Sequence, residues 1–274
     1  MMDKKRLDVY MVEAGLAPSR EKARAMIMAG EVLVNGRKAE KAGEEVRAED
    51  AVTLHEDPIP FVSRGGLKLD KALKVFPLSL EGKVCLDVGA STGGFTDCML
   101  QNGALRVCAL DVGYGQLAWQ LRNDGRVTVM ERRNARFMEP GWFEGPFDFA
   151  SIDVSFISLQ LILPPLKACL KPEGQVVALI KPQFEAGRGQ VGKNGVVRDP
   201  AIHEDVCIKI MTFAQESGFA VEGLSFSPIT GPKGNIEFLL FLRNAPQVPQ
   251  ADPADFGRMA KEIVAQGHAF HENC

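Results

Sequence analysis

Four charged residues of this chain could carry acid–base chemistry, and they are Lys68, Asp153, Lys181 and Glu237. Asp153 and Lys181 each follow an apolar run that predicts a buried strand, and Glu237 lies in a later one. Lys68 falls on the apolar face of a helix predicted over residues 67–76, although a lysine near a helix start can also reach solvent. A lysine takes the proton of a hydroxyl when burial and a nearby cation favour its neutral form. We therefore interpret Lys181 as the base, Lys68 as that cation, and the carboxylates as the groups that hold them.

A glycine-rich stretch at residues 84–96, VCLDVGASTGGFT, is a candidate ligand site. Its apolar run predicts a strand, its glycines a turn, and the residues from Phe95 onward a helix. Backbone N–H groups and the helix dipole face a ligand at such a turn. The spacing does not fit the nicotinamide fingerprint, because Ser91 occupies its second glycine position, nor the P-loop, because Phe95 follows Gly94. An ordinary strand-to-helix turn is the alternative interpretation.

The elements that must position these residues alternate regularly from residue 84 onward. Strands are predicted at 84–88, 106–110, 127–131, 147–152 and 175–180, and helices at 95–102, 115–123, 157–170 and 200–217. Two later strands, near 219–226 and 236–242, complete a doubly wound, mainly parallel α/β sheet with an antiparallel member. Ligands bind beyond the carboxyl ends of such strands, where Asp111 could hold ribose hydroxyls and Asn134 could contact an adenine edge.

The N-terminal residues follow a separate pattern. Two helices are predicted at 6–14 and 19–29, and AGEVLVNG at residues 29–36 predicts a strand and a tight turn, with further strands between 46 and 54. The basic residues alone are also typical of a solvated helical surface. The order of elements resembles the small α+β RNA-binding module of ribosomal protein S-four, which implies structured RNA held through phosphates and shape. The residues available for such contacts are Arg6, Arg20, Arg24, Arg37, Lys38 and Arg64.

The glycine stretch has an acid, one residue and then Gly-x-x-x-Gly, and it resembles the opening motif of S-adenosylmethionine-dependent methyltransferases. The segment after Asp153 is Val-Ser-Phe rather than the Pro-Pro-aromatic motif of amine methyltransferases, which favours an oxygen acceptor. The resemblance implies a Rossmann-like domain with S-adenosylmethionine as cofactor. The residues that it assigns to cofactor binding are Asp87, Gly89, Ser91, Gly93, Gly94, Phe95, Asp111, Asn134 and Asp153.

The four charged residues of the first paragraph resemble the Lys-Asp-Lys-Glu tetrad of the FtsJ-type RNA 2′-O-ribose methyltransferases. Further motifs are SRGGLK at 63–68, GYGQ at 113–116, SFIS at 155–158 and KPQFE at 181–185. With the N-terminal module, they make the chain resemble the TlyA family over about residues 6–243. That family implies 2′-O-methylation of cytidine in ribosomal RNA, with ribosomal RNA or ribosomal subunits as partners. We expect an RNA-binding domain at 1–57, a linker at 58–62, a methyltransferase domain at 63–245 and a C-terminal arm at 246–274.

The composition is that of an ordinary soluble globular protein, with 46% hydrophobic and 24% charged residues. No run approaches the roughly 20 apolar residues of a membrane span, and the N-terminus lacks the apolar core of a signal peptide. The cysteines and histidines show no metal-ligand spacing. We therefore expect buried free thiols, no metal site and a cytoplasmic location; the sequence does not indicate an oligomeric state.

Two other functions are open at the level of sequence. One is a non-catalytic, RNA-binding ribosome-assembly factor, which the intact tetrad and glycine motif disfavour. The other is a membrane-active haemolysin, a label that the family often carries, which would need an apolar span or a strongly amphipathic basic helix.

The glycine-rich loop at 185–197, with Arg188 and Lys193, is predicted to close over RNA phosphates.

Overall fold

A computed structural model describes residues 4–39, 41–47, 49–54, 59–187, 189–192, 194–245, 247 and 252–272 of the protein. The chain divides into two compact units, Met1–Arg64 and Gly65–Cys274. Each unit is built around a hydrophobic core of its own.

The described part of the N-terminal unit contains two helices and five short strands. The helices are α1 (Leu7–Glu13) and α2 (Arg20–Ala29), and the strands are β1 (Lys5–Arg6), β2 (Val32–Val34), β3 (Arg37–Lys38), β4 (Glu45–Val46) and β5 (Val52–Leu54). Ser19 caps α2 by accepting a hydrogen bond from the Lys22 N–H, and Gly30 ends it with φ at 77°. Strand β2 pairs antiparallel with β3 and β5, and β1 pairs with β4.

A buried carboxylate organises the basic residues of this unit. Asp8 has no exposed surface and accepts hydrogen bonds from Arg6, Arg20 and Arg24 at 3.0–3.1 Å. The guanidinium groups, Arg6 foremost, outweigh the effect of burial and hold the pKa of Asp8 well below its usual range. The three arginine side chains are 50–55% exposed, so one hidden acid orders three cations at the surface.

The described part of the second unit contains seven strands and seven α-helices. The strands are β6 (Val84–Val88), β7 (Arg106–Leu110), β8 (Val127–Met130), β9 (Phe147–Ile152), β10 (Leu170–Ile180), β11 (Ala220–Phe226) and β12 (Phe238–Arg243). The helices are α3 (Gly66–Val75), α4 (Gly94–Gln101), α5 (Trp119–Arg122), α6 (Leu163–Ala168), α7 (Pro182–Glu185), α8 (Pro200–Glu216) and α9 (Pro253–Glu272).

These strands form one sheet in the order β11-β12-β10-β9-β6-β7-β8. Strand β12 runs antiparallel to β10 and β11, and the pairs from β10 through β8 are parallel. The predicted mainly parallel α/β sheet with an antiparallel member is therefore confirmed. Its central strands are buried apolar runs, because helices cover both faces of such a sheet.

The helix predicted over 157–170 is shorter than expected. A 3₁₀ turn at Leu159–Leu161 precedes α6, whose first turn contains Pro164 and Pro165. Proline lacks the N–H that an upstream helix would need and disfavours helical backbone in the residue before it, so the α-helix begins only at the prolines. The helix predicted over 115–123 is likewise reduced to α5, after Gly115 with φ at 72°.

The C-terminal residues differ most from expectation. Proline-rich sequence after Asn244 suggests a loose arm with a short helix, but α9 is 20 residues long. Pro253 lies in its first turn, where proline is well tolerated. Phe256, Ala260 and Val264 recur every four residues and are buried in the core of the second unit. This helix is therefore an integral part of the second unit.

A buried histidine pair joins α8 to α9. His203 is fully buried, with Nδ1 at 2.9 Å from His268 Nε2 and Nε2 at 3.1 Å from the Val197 carbonyl. A carbonyl only accepts, so His203 Nε2 carries the proton and Nδ1 accepts from the His268 N–H. Burial, followed by the neighbouring His268, lowers the pKa of His203 to about 4.

We predict that His203 makes a contribution to the stability of this unit that is lost as the pH falls from about 6.5 to about 4. In that window the unfolded chain binds a proton at residue 203 that the folded protein excludes, which costs at most about 1.4 kcal/mol per pH unit. Both tryptophans, Trp119 and Trp142, lie in this unit, so urea unfolding followed by tryptophan fluorescence reports on it. His203→Gln should flatten the pH dependence, and an equal slope in both proteins would contradict the prediction.

Candidate active site

Strand ends bring the predicted catalytic residues to one edge of the sheet. Asp153 follows β9 and Lys181 follows β10, both at carboxyl ends. Glu237 directly precedes β12, and because β12 is antiparallel its start lies at the same edge. The register pairs Ile180 with Phe238, so Lys181 and Glu237 come next to each other across the two strands. Lys68 reaches this edge from the first turn of α3.

The four side chains form a compact ionic cluster, which we call the tetrad. Lys68 Nζ lies 2.7 Å from Glu237 Oε2 and 3.5 Å from Asp153 Oδ2. The ammonium group of Lys181 pairs with Asp153 Oδ1. Asp153 thus bridges two lysines, and Glu237 neutralises one of them. The inward orientation of Lys68, which the helix pattern left open, is decided here: only 7% of the residue is exposed.

Local structure keeps the tetrad ordered and its Asp153 carboxylate ionised. Burial raises the pKa of Asp153, but Lys68 and Lys181 outweigh burial and hold this pKa below its usual range. Glu237 is 1% exposed and packs against Gly231, where a Cβ atom would lie 2.7 Å from Oε1. Only glycine leaves room for the carboxylate at that point. Two lysines and two carboxylates make the cluster neutral overall, as a buried site requires.

Beside the tetrad, a cavity of about 350 Å³ opens over the glycine turn. Of the predicted cofactor residues, those that line it are Gly89, Ser91, Asp111, Asn134 and Asp153. Asp111 accepts hydrogen bonds from the N–H groups of Ser91 at 2.8 Å and Gly113 at 2.6 Å. Asn134 caps the following turn through the Arg136 N–H, which holds its amide at the cavity wall. Asp153 belongs to both the cavity and the tetrad.

The other predicted cofactor residues do not line this cavity. Asp87 is fully buried, and its carboxylate accepts hydrogen bonds from Thr96 at 2.7 Å and Ser151 at 2.9 Å. Burial raises the pKa of Asp87 to about 6, although the two hydroxyl donors oppose this effect. Asp87 therefore ties β6 to α4 and β9 beneath the turn. Gly93, Gly94 and Phe95 are also buried, and a Cβ at Gly93 would lie 2.8 Å from Leu117, so glycine lets this segment pack closely.

The structure adds residues that the sequence reasoning did not assign. Ser155 Oγ accepts a hydrogen bond from Lys181 Nζ at 3.1 Å and is a further partner of the proposed base. Glu185, 5% exposed, accepts from the Ser158 hydroxyl at 2.6 Å and the Leu159 N–H at 2.7 Å. The motifs SFIS and KPQFE are thus joined by hydrogen bonds. The length of the two motifs made them recognisable in the sequence, but it did not show that they pair with each other.

Exposed aromatic and basic groups lie in, or next in sequence to, the segments that line the cavity. Phe156 is 90% exposed and has φ at 64°, a backbone conformation that is uncommon for a bulky residue. Arg132 lies over the Tyr114 ring at 4.2 Å, and Arg136 lies 5.7 Å from the Phe137 ring. Aromatic faces and guanidinium planes are the groups on which unpaired RNA bases stack.

The predicted RNA-binding residues lie in several separate parts of the chain. Arg6, Arg20 and Arg24 surround Asp8, and a cleft of about 1020 Å³ in the N-terminal unit is lined by Arg6, Arg37 and Lys38 together with acidic residues. Arg64 is the last residue of that unit. Arg188 and Lys193 lie outside the described residues.

Two further findings concern other classes of site. Among the residues that the structure describes, no cluster of three or more His, Cys, Asp or Glu could hold a metal ion. Within the same ranges, no helix has the length and apolar character needed to cross a membrane. The cysteines at 85, 98, 108, 169 and 207 are buried and free, as predicted. Cys274 lies outside the described residues.

Known proteins share both the sequence and the fold. The FtsJ-like methyltransferase family matches residues 61–244, and the S4 domain matches residues 5–52. YqxC of Bacillus subtilis is 57% identical over 240 residues, which cover 87% of this chain and 85% of that protein. The 16S/23S rRNA (cytidine-2′-O)-methyltransferase TlyA of Mycobacterium tuberculosis is 46% identical over 89% of this chain and 91% of its own.

A solved structure extends the comparison to three dimensions. It is a protein from Streptococcus thermophilus that carries the name hemolysin, with 51% identity and a TM-score of 0.79. The match covers 100% of this chain and 98% of the other. The family matches and the relatives together cover nearly the whole chain. The protein therefore belongs to the TlyA family of FtsJ-like methyltransferases with an N-terminal S4 domain.

Proposed function

We propose that this protein transfers the methyl group of S-adenosylmethionine to the ribose 2′-hydroxyl of a cytidine in ribosomal RNA. The observation that carries the proposal is the buried tetrad beside the cavity, because it offers a lysine to a hydroxyl but no cysteine for attack on a base. The TlyA relative of Mycobacterium tuberculosis, which acts on 16S/23S rRNA cytidine by its name, supports this substrate.

The residues present fit S-adenosylmethionine. The cavity volume of about 350 Å³ is in the range for small-ligand sites, roughly 300–1,000 Å³. Each oxygen of Asp111 accepts one backbone N–H and keeps a lone pair for a ribose hydroxyl. Asn134 would contact the adenine edge, and the turn at Gly89 and Ser91 would hold the methionine end. When bound, the cofactor supplies a methyl group on a positively charged sulfur.

The tetrad supplies the proton transfer. Lys181 would act as the neutral amine and take the proton of the 2′-hydroxyl at Nζ, and the oxygen would receive the methyl group that the cofactor would supply. Lys68 pairs with Glu237 at 2.7 Å and is the second cation of the site. Asp153 and Ser155 orient the amine. Lys181 would then return its proton to water.

The RNA is proposed to be held by both units. Phosphates suit the three arginines that Asp8 orders, which are Arg6, Arg20 and Arg24. Unpaired bases suit the exposed ring of Phe156. Arg188 and Lys193, in the loop beyond Glu185, remain candidates for phosphate contacts.

Lys181→Ala should lower methyl transfer to ribosomal RNA by about 100-fold or more, because it removes the general base. The measurement is transfer of labelled methyl from S-adenosylmethionine, followed by mapping of 2′-O-methyl nucleosides. Lys171→Ala is the matched control, since Lys171 pairs with Asp148 at the opposite end of the same strand. Full transfer by Lys181→Ala would remove the proposed base, and binding of RNA without transfer by the wild type would favour the assembly-factor function.

Asp111→Asn should weaken S-adenosylmethionine binding by about 10- to 100-fold, the effect of losing a charged hydrogen bond worth about 1.5–3 kcal/mol. Calorimetry with the cofactor alone measures this without RNA. Asp124→Asn, at an acid that pairs with Arg126 outside the cavity, should leave the affinity unchanged. Equal affinities for all three proteins would exclude Asp111 from the cofactor site.

Asp8→Asn should weaken RNA binding although it removes a negative charge. The loss follows if Asp8 orders the three arginines, because disordered side chains must be immobilised again on binding. Glu45→Gln is the control, since it removes an equally negative but exposed partner of Lys4 in the same unit. Simple electrostatics predicts tighter binding for both variants. Filter binding at several salt concentrations, with amide exchange in α2 as a test of folding, separates the two outcomes.

A further inference from the structure

The C-terminal helix α9 packs against the segment that leads to the tetrad, although the family match ends at residue 244. Its last turn carries Phe270 and His271, which contact Phe226 and Ser227 at the end of β11. These contacts lie on the chain segment that leads to Glu237. They raise the question of what the helix contributes to the reaction.

One set of contacts leads to Glu237. The Ser227 carbonyl lies 2.9 Å from His271 Nε2, which must be the donor because a carbonyl only accepts. The Ser227 N–H in turn donates to the Glu237 carbonyl at 2.8 Å. The imidazole is therefore two hydrogen bonds away from the backbone of a tetrad carboxylate.

Close packing of the same helix reinforces this connection. A Cβ atom at Gly267 would lie 3.1 Å from the Cβ of Phe226 and 3.7 Å from Ile236. Ile236 is the residue before Glu237. The absence of a side chain at Gly267 thus lets α9 pack tightly on both ends of the segment that leads from β11 to the tetrad.

A second set of contacts leads to Lys68. Lys71 lies one helical turn after Lys68 on α3. Its ammonium group sits 3.3 Å from the centre of the Phe226 ring and 5.5 Å from that of Phe270, and the two rings are 5.2 Å apart. The ammonium group thus lies against the Phe226 ring, with Phe270 packed beside that ring, and these contacts join α3 to the end of α9.

We propose that Phe270 and His271 are positioning residues, which form a C-terminal clasp with Phe226, Ser227 and Lys71. The clasp holds α3 and the start of β12 at the separation that keeps Lys68 2.7 Å from Glu237. Catalytic groups need supporting contacts of this kind, since small displacements are costly to the reaction. The inference rests on the proposed function, because it assigns the clasp to the geometry of that site.

Phe270→Ala should lower kcat for methyl transfer by about tenfold, with the dissociation constants for S-adenosylmethionine and RNA unchanged. His271→Ala should act in the same direction, and His271→Gln, which keeps an N–H donor, should restore part of the rate. Gln266→Ala is the control, because Gln266 is exposed on the same helix and pairs with Glu262 rather than with the clasp residues. Unchanged kcat in both alanine variants would overturn the proposal.

A double-mutant cycle separates positioning from general stability. If the clasp acts through the tetrad, Phe270→Ala should cost little further rate in a Glu237→Gln background, measured in a single turnover with labelled cofactor. Phe270→Ala lowering the rate equally in both backgrounds, or lowering it only in proportion to the melting temperature, would show that α9 stabilises the unit without positioning the tetrad. The cycle requires wild-type methyl transfer, whose absence would instead count against the proposed function.

A measurement that needs no turnover distinguishes failure of the clasp from failure of the proposed function. Hydrogen exchange should rise in peptides spanning 66–75 and 227–238 in Phe270→Ala, while peptides of β6 and β7 stay protected. This result is expected even if the substrate is not RNA. Unchanged exchange in the two segments would refute the clasp whatever the activity.

Discussion

The buried ionic tetrad is the interaction on which the methyltransferase unit depends. A lone ammonium or carboxylate removed from water costs several kcal/mol, so burial is tolerable only with opposite charges at contact distance. Lys68 and Lys181 are each 7% exposed and Glu237 is 1% exposed, and every one of them has such a partner. One helix and three strands must therefore meet at one point, and a shift of any one leaves a buried charge unpaired.

The topology of the sheet satisfies this requirement. Parallel strands deliver Asp153 and Lys181 at their carboxyl ends, whereas the antiparallel strand β12 delivers Glu237 at its amino end, so that all three meet at one edge. Asp153 also lines the cavity. A single carboxylate thus links the position of the cofactor site to that of the two lysines, which is useful where a methyl group must meet an oxygen at close range.

The N-terminal unit also pairs a buried charge with opposite charges, but there the buried group is an acid and its partners lie at the surface. Asp8 is buried and its three arginines are half exposed, so the acid is hidden and the cations stay available at the surface. In the tetrad the cations themselves are hidden. Exposed, ordered guanidinium groups suit phosphates, and buried lysines suit proton transfer, because desolvation changes how readily a lysine gives up its proton.

Local sequence determined the order of elements, the caps at Ser19 and Gly30, and the turn at the glycine motif. Periodicity and capping are properties of neighbouring residues, so they are readable without the fold. The helix pattern placed Lys68 on the apolar face but decided neither its orientation nor its partner. The tetrad residues themselves came from strand ends and from family resemblance.

The tertiary structure alone decided the partners. Lys68 meets Asp153 and Glu237, which are 85 and 169 residues away in the chain, and no local pattern encodes such a meeting. It also decided that Asp87 lies beneath the turn rather than in the cavity, and that α9 packs into the core. Local sequence thus determined which residues could be buried or charged, and the packing of distant segments decided which charges meet, because a buried charge is stabilised only by groups that the whole fold brings within contact.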